Sequence, residues 1–240
     1  MKLASLFAIA LLIVCVPFAH ADVVLYIGID GGSLTQVEDV ADSPISPQII
    51  YPGTTFAGGK LAVQLVASGN DYPGSSTLAQ ELTDTFKISN SDTIAHTIEF
   101  LIVAQDFAAP VTPPAIDLTS QIGGSDNPSS GTSTYDFTSC VDTTNSKTLG
   151  CPAAYTTSTG TVGIPGTSFS GASSALISSL AAPYAIDEDL VLSVGVGDTL
   201  NFSGNTTLQS VPEPGSIGWM AGGMILLAGL YKRFRSAKQA

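Results

Sequence analysis

Short runs of apolar residues, each closed by Gly, Pro, Asn or Asp, recur along residues 22–210 of the 240-residue chain. Alternation of apolar and polar residues is typical of a strand with one buried face, and a nearly continuous apolar run indicates a strand covered on both faces. The strands predicted in this way are Val23–Ile29, Lys60–Ser68, Thr97–Gln105, Leu190–Val196 and Thr199–Ser203. The two faces predicted for the third strand are Ile98, Phe100 and Ile102 and, opposite them, Glu99, Leu101 and Val103.

The last two strands are separated by a strong turn signal, Gly197-Asp198. Beyond it, Leu200 and Phe202 share one face of the second run. Two alternating runs joined by a short turn that contains Gly are typical of a β-hairpin. We therefore predict a hairpin at this place.

Helical patterns are rare and short in the same segment. Ser75–Leu82 and Ser173–Leu180 could each form a turn or a short helix, while Ser120–Thr134 and Thr156–Gly171 have the Ser, Thr and Gly content of long exposed loops. Many short strands without crossover helices favour an all-β fold. We predict a single β-sandwich, jelly-roll or immunoglobulin-like, over residues 22–210.

The N-terminus has the pattern of a signal peptide. Lys2 precedes the uncharged apolar run Leu3–Val16, and Ala19-His20-Ala21 supplies the small residues that a signal peptidase requires. We predict cleavage after Ala21, so that residues 1–21 are removed and the mature chain begins at Asp22.

The charge of the segment between the two ends excludes one class of partner. Residues 22–210 contain three lysines, no arginine and 19 carboxylates, which gives a formal charge of −16. Such a surface repels phosphate backbones, so nucleic-acid binding is not expected. Charged residues are nevertheless only 12% of the chain. Most of the polar surface must therefore come from Ser, Thr, Asn and Gly, a composition that fits an exported or matrix setting.

Two cysteines remain after removal of the signal peptide. Cys140 and Cys151 form an even pair in a chain predicted to enter an oxidising compartment, so we expect a structural disulfide between them. Metal binding would need more ligands than this pair and the distant His96 provide.

Residues for nucleophilic catalysis are scarce. His96, the single histidine of the predicted mature chain, has no catalytic motif around it, and we interpret it as a surface or edge residue with satisfied hydrogen bonds. Carboxylates are the abundant reactive groups, and the densest run is Asp187-Glu188-Asp189. This run is a weak candidate for Ca²⁺, and the simpler interpretation is a solvated cluster that protects a sheet edge. We expect no cofactor and no other metal.

The C-terminal 30 residues combine three features. Pro212-Glu213-Pro214 holds an extended backbone, residues 216–231 are uncharged and mostly apolar, and Lys232, Arg233 and Arg235 follow. A helix over residues 216–231 would span about 24 Å, less than the ~30 Å hydrocarbon core of a membrane. Basic residues that flank a membrane helix remain on the cytoplasmic side. We therefore predict a marginal membrane span over residues 216–231, with the β domain on the outer side of the membrane.

These three features, in this order, resemble the PEP-CTERM sorting signal of Gram-negative bacteria. The resemblance covers residues 211–240 and implies that an exosortase, a membrane cysteine transpeptidase, recognises and processes the tail. It also implies release from the inner membrane toward the cell surface or an exopolysaccharide matrix, as in a biofilm. Expected partners are thus signal peptidase, exosortase, the inner membrane before processing, and exopolysaccharide.

The resemblance concerns the export route and leaves the activity of residues 22–210 open. Our main hypothesis is a non-enzymatic surface or matrix protein, with Tyr135 and Tyr155 as either sugar-binding or core residues. One alternative is a secreted carbohydrate-active hydrolase that uses paired carboxylates. Another is a surface protein permanently anchored by its C-terminal helix.

Overall fold

The computed structural model describes residues 21–43, 48–70, 75, 77–127, 133–148, 152–164 and 168–211. These residues form strands and two short 3-10 turns, Ala57–Gly59 and Ala153–Tyr155. The strands are β1 (Ala21–Ile29), β2 (Thr35–Ser43), β3 (Gln48–Phe56), β4 (Leu61–Asn70), β5 (Leu78–Asn90), β6 (His96–Phe107), β7 (Ile116–Asn127), β8 (Thr134–Asp142), β9 (Thr156–Ser158), β10 (Val162–Gly163), β11 (Phe169–Ile177), β12 (Tyr184–Val194) and β13 (Thr199–Ser210).

The strands form two antiparallel sheets that pack face to face. The first sheet has the order β10-β8-β12-β6-β1-β2, with β9 paired to β8, and the second has the order β11-β7-β13-β5-β4-β3. The prediction of a β-sandwich is confirmed. One hydrophobic core lies between the sheets, because the inward residues of both alternate with outward polar ones.

Strand β6 shows the alternation predicted from the sequence. Ile98, Phe100 and Ile102 belong to the core between the sheets. Leu101 and Val103 face the other way and form a small second cluster with Ala185. The predicted faces are therefore correct, and Tyr26 and Leu34 pack against the outer one.

The predicted hairpin at Gly197-Asp198 is wrong. β12 pairs with β6 and β8 in the first sheet, whereas β13 pairs with β5 and β7 in the second, so the turn carries the chain across the sandwich. Both strands bury their apolar face in the shared core. The same alternation is therefore found whether the two strands pair in one sheet or face each other from two sheets.

The β5–β6 turn also crosses between the sheets, and Asn90 connects it to the β12–β13 turn. Its buried side-chain amide donates to the carbonyl oxygens of Ile94 at 2.8 Å and of Val194 and Gly195 at 3.1 Å. It thereby joins the β5–β6 turn to the β12–β13 turn. The backbone N–H of Asn90 donates to the carbonyl oxygen of Asp198 at 3.0 Å and closes the same end of the sandwich.

The short turn or helix predicted at Ser75–Leu82 begins as a turn, because Ser75 and Leu78 exchange backbone hydrogen bonds, whereas the one predicted at Ser173–Leu180 is wrong. β5 begins at Leu78, and Phe169–Ile177 is the edge strand β11. The first eight residues of the predicted loop Ser120–Thr134 belong to β7, and β9 and β10 lie within Thr156–Gly171. Ser, Thr and Gly are accommodated in these strands because one face points to solvent.

The described residues contain no helix long and apolar enough to cross a membrane. The helix predicted over residues 216–231 lies outside them, as do Ala19, Pro212, Glu213, Pro214, Lys232, Arg233 and Arg235. Ala21, the predicted last residue of the signal peptide, is the first residue of β1.

Candidate functional site

A groove of about 290 Å³ lies on the outer face of the second sheet, near its β3 edge. Its described lining residues are Ile50, Tyr51, Pro52, Gln64, Leu65, Val66, Lys87 and Asn201. Ile50 is 60% exposed and presents an aliphatic surface to the groove. The groove therefore offers an apolar wall on β3 beside polar side chains on three further strands.

An irregularity in β3 shapes this wall. The pairing of β3 with β4 shifts between Tyr51 and Thr54, and Gly53 within the shift has a φ of 109°. Glycine is required there because a Cβ would be strained at that φ and would also meet the Gln64 side chain at 3.3 Å. A bulge of this kind bends an edge strand, and here it places the middle of β3, at Gly53, against the Gln64 side chain.

Three polar side chains form a row across the floor of the groove. Gln64 on β4 lies directly opposite Lys87 on β5, and Lys87 lies directly opposite Asn201 on β13. Directly paired residues have Cβ atoms about 5 Å apart, so the row extends over about 10 Å. Within the described part of the chain, these three side chains make no hydrogen bond or ion pair. Their donors and acceptors are available to a ligand.

A second group of polar residues lies on the outer face of the first sheet. Glu99 on β6 and Asp136 on β8 flank Val191 of β12 on either side, and Asp189 is two residues from Val191 on the same face. Burial, reinforced by the negative charges of Glu99 and Asp136, raises the pKa of Asp189 to about 6. Asp136 accepts hydrogen bonds from the hydroxyls of Ser158 and Thr161 at 3.1 and 3.3 Å.

The structure corrects the interpretation of Asp187-Glu188-Asp189 as a solvated cluster at a sheet edge. These residues lie within β12, which is flanked by β6 and β8, and Asp187 and Glu188 are 0% and 1% exposed. Alternation directs Glu188 into the core and the two aspartates to the outer face. The three carboxylates therefore do not converge on one ion, and no group of three or more His, Cys, Asp or Glu among the described residues could hold a metal.

His96 has satisfied hydrogen bonds, as predicted, but it is buried rather than exposed, at 4%. Its Nδ1 lies 2.9 Å from a carboxylate oxygen of Asp30, and its Nε2 lies 3.1 Å from one of Asp92. Both ring nitrogens face carboxylate oxygens, an arrangement that favours the imidazolium form, in which both nitrogens donate. The hydrogen bond to Asp30, opposed by burial and supported by the bond to Asp92, raises the pKa of His96. His96 thus joins the β1–β2 turn to the β5–β6 turn and is not available as a base.

Cys140 is disulfide-bonded, and Cys151, its predicted partner, lies outside the described residues. After Cys140 the chain is tied to the β1–β2 side of the first sheet. There the ammonium nitrogen of Lys147 lies 2.9 Å from a carboxylate oxygen of Asp22 and 3.1 Å from one of Asp39. Asp22 is the predicted first residue of the mature chain.

The two tyrosines considered for sugar binding belong to the core. Tyr135 is 1% exposed and packs against Phe169 with ring centroids 5.1 Å apart. Tyr155 is half-buried against the same core. The groove residues were not predicted from the sequence, because strand register brings them together from distant segments. The sequence signal closest to them is the alternation of Lys87 with the buried Phe86 and Ile88.

Comparisons with known proteins include two distant structural similarities. No protein-family model matches the chain, and no curated protein matches it. The enzymatically active domain of bacteriophage CBA120 tailspike protein 4 aligns with 64% of this chain at 15% identity and a TM-score of 0.29, and the chain spans 18% of that domain's length. A carbohydrate-binding module of the β-sandwich superfamily aligns with 75% of this chain and 82% of its own, at 7% identity and a TM-score of 0.27. Both TM-scores are low, so neither similarity carries an argument.

Proposed function

We propose that this protein is an exported, non-enzymatic matrix protein that binds polysaccharide in the groove of the second sheet. The observation that carries the proposal is the row Gln64–Lys87–Asn201 beside the exposed Ile50. Sugar rings present hydroxyl groups at their edges and apolar C–H surface on their faces. A site with a few convergent polar groups and an apolar wall matches both kinds of surface.

The chemistry of the groove supports binding rather than hydrolysis. None of its described lining residues is a carboxylate, a histidine or a cysteine. General acid–base catalysis and nucleophilic attack on a glycosidic bond both require such groups. The amides and the lysine of the groove can hold a sugar but cannot cleave it.

A hydrolase remains the second candidate function because of one specific observation. Asp189 lies beside two carboxylates, and its pKa is raised to about 6, as a general acid near neutral pH requires. A glycosidase site would then use Asp189 with Glu99 or Asp136 on the outer face of the first sheet.

The export route follows from the resemblance of residues 211–240 to the PEP-CTERM signal. β13 ends at Ser210, and the N–H of Val211 donates to the carbonyl oxygen of Ala115 at 2.7 Å. The sandwich thus extends to the residue directly before Pro212, with Val211 39% exposed. Cleavage close to the Pro-Glu-Pro motif would leave the sandwich complete.

Removing both amides of the groove is expected to weaken polysaccharide binding. We expect the double substitution Gln64→Ala and Asn201→Ala to raise Kd about 30-fold, since each lost hydrogen bond contributes ~1 kcal/mol. Affinity electrophoresis and calorimetry against the exopolysaccharide of the producing strain measure the change. Gln121→Ala with Asn205→Ala is the matched control, because this directly paired couple lies on the same sheet outside the groove.

Two outcomes would contradict the proposal. Unchanged binding by the groove variant, with its thermal unfolding also unchanged, would show that polysaccharide does not occupy the groove. Release of sugar fragments that Asp189→Asn abolishes would establish the hydrolase instead.

Intact-mass analysis tests the export route. In a strain with an active exosortase, we expect the mature protein to begin at Asp22 and to lack residues 216–240. In an exosortase-deficient strain, we expect it to retain Trp219 and Arg235. Retention of both residues when the exosortase is active would favour the permanent membrane anchor.

A further inference from the structure

Two buried aspartates meet at one end of the sandwich, where β7 ends and the β12–β13 turn crosses between the sheets. Asp126 is 4% exposed and Asp198 is fully buried. Asp126 pairs directly with Leu200, and both side chains face the core. Asp198 precedes Leu200 by two residues, so alternation places its carboxylate on the same face, diagonal to Asp126.

The Asp198 carboxylate is held in position by Ser133. The Ser133 hydroxyl donates to Asp198 Oδ2 at 2.7 Å and accepts the N–H of Gly195 at 3.1 Å. Ser133 directly precedes β8, and its carbonyl oxygen accepts the N–H of Ile164 at 2.9 Å. This end of the molecule therefore brings together one carboxylate from the turn, one from β7, and the start of β8.

Asp126 lacks a partner that would explain its burial. Its Oδ1 has no hydrogen bond and is inaccessible to solvent. Among the described residues no cationic side chain pairs with it, and residues 128–132 contain no Lys, Arg or His. The site therefore places a buried carboxylate that has an unpartnered oxygen beside a second buried acidic side chain. Such an arrangement is unfavourable unless a positive charge compensates it.

We propose that Asp126 and Asp198 bind a calcium ion. The two side chains offer carboxylate oxygens, and oxygen ligands are those that Ca²⁺ prefers. Zn²⁺ would require nitrogen or sulfur ligands, yet Cys140 is disulfide-bonded and His96 is held by Asp30 and Asp92. Mg²⁺ retains several waters in strict octahedral geometry, which a largely buried pair does not favour.

The ion would connect the second sheet to the turn that leaves the first sheet. Asp126 belongs to the second sheet, and Asp198 ends the turn that leaves the first sheet. Extracellular calcium sites commonly have dissociation constants of about 10⁻⁴–10⁻³ M, so millimolar calcium outside a cell would fill this one. The site is independent of the polysaccharide groove and of Asp187-Glu188-Asp189.

Thermal unfolding of the full chain in mild detergent tests the proposal. After treatment with EDTA, CaCl₂ at ten times Kd is expected to raise the Tm by about 4 °C, and MgCl₂ at the same concentration by much less. Asp126→Asn is expected to abolish this rise and to increase the Tm in EDTA, because it removes a buried negative charge. Asp117→Asn, on the same strand but outside the site, is expected to retain the rise.

Calorimetric titration with CaCl₂ gives a second measurement, with one ion bound to the wild type and none to Asp126→Asn. A wild type that shows neither a Tm rise nor a binding isotherm would overturn the proposal. A calcium response that persists in Asp126→Asn would overturn it as well.

Discussion

Thr206→Val is expected to destabilise the fold by about 2–3 kcal/mol, although it removes a single oxygen atom and adds a methyl group of similar size. The Thr206 hydroxyl donates to Oε1 of Glu188 at 2.6 Å, and both residues lie in the core between the sheets. Because this proton goes to Glu188, the Ser139 hydroxyl, 2.6 Å away, donates to Thr206. Valine leaves two buried polar groups without this partner, and each costs ~1–3 kcal/mol.

The surroundings of Glu188 increase this cost. Its side chain lines a cavity of about 10 Å³ formed mostly by phenylalanine and aliphatic side chains of both sheets. A cavity of this size holds about one water molecule. Little solvent is therefore available to replace the lost hydrogen bond.

Urea unfolding of five chains measures the effect: the wild type, Thr206→Val, Thr207→Val, Glu188→Met and the double variant of Thr206 and Glu188. Thr207→Val, the next residue of β13, is the matched control, and it should change the free energy of unfolding by less than about 0.5 kcal/mol because Thr207 is partly exposed. Combining Thr206→Val with Glu188→Met should recover most of the loss, since replacing a whole buried polar pair by apolar groups is often neutral. A double variant as unstable as the sum of its parts would refute the coupling.

The contact between Glu188 and Thr206 also illustrates what could not be predicted from the sequence. Strands β1, β4 and β6 were predicted because their apolar residues are dense enough to be recognised along the chain. Glu188 was assigned to a solvated cluster because carboxylates are rarely buried without compensation. Its compensation comes from Thr206 on the other sheet, a contact that a single sequence does not reveal.

The strands that were missed share another cause. In β11 the exposed positions alternate with partly buried ones that carry Ser, Gly and Ala, so its hydrophobic contrast is low. Its pairing with β7 over nine consecutive positions supplies the stability that local preference lacks. The β12–β13 turn was placed correctly, but hairpin and crossing turns have the same local sequence features. Which one forms depends on the partners of both strands.

The polar character of the candidate site could be predicted from the sequence, but its residues could not. The abundance of Ser, Thr, Asn and Gly indicated a polar, exported surface, and the outer face of the second sheet carries many such residues. The row Gln64–Lys87–Asn201 depends on the register of β4, β5 and β13, and Asn201 lies more than 100 positions from the other two along the chain. The resemblance of residues 211–240 to a sorting signal could be recognised without knowledge of strand register, because its three features follow one another along the chain.

Gly124→Ala is expected to cost about 3 kcal/mol or more, the second large effect. A Cβ at Gly124 would lie 2.5 Å from Cβ and 2.7 Å from Cα of Phe202, and it would also collide with the carbonyl oxygen of Asn201. Gly124 pairs directly with Phe202, whose ring stacks on Phe86 with centroids 4.4 Å apart. The added methyl group therefore requires either the β7–β13 pairing or this aromatic stack to shift, and overpacking of this kind is destabilising.

Gly123→Ala is the matched control, one residue earlier on the same strand. Its Cβ would point to the outer face, where the nearest atom is the carbonyl oxygen of Phe169 at 3.6 Å, an ordinary contact. Because alanine restricts the unfolded chain more than glycine does, we expect this variant to be neutral or slightly more stable, by up to ~1 kcal/mol. Urea unfolding of the two variants isolates the inward contact, since they share the substitution and the strand. Equal losses in both would show that β7 tolerates no side chain at either position, and that the Phe202 stack is not the reason for glycine at 124.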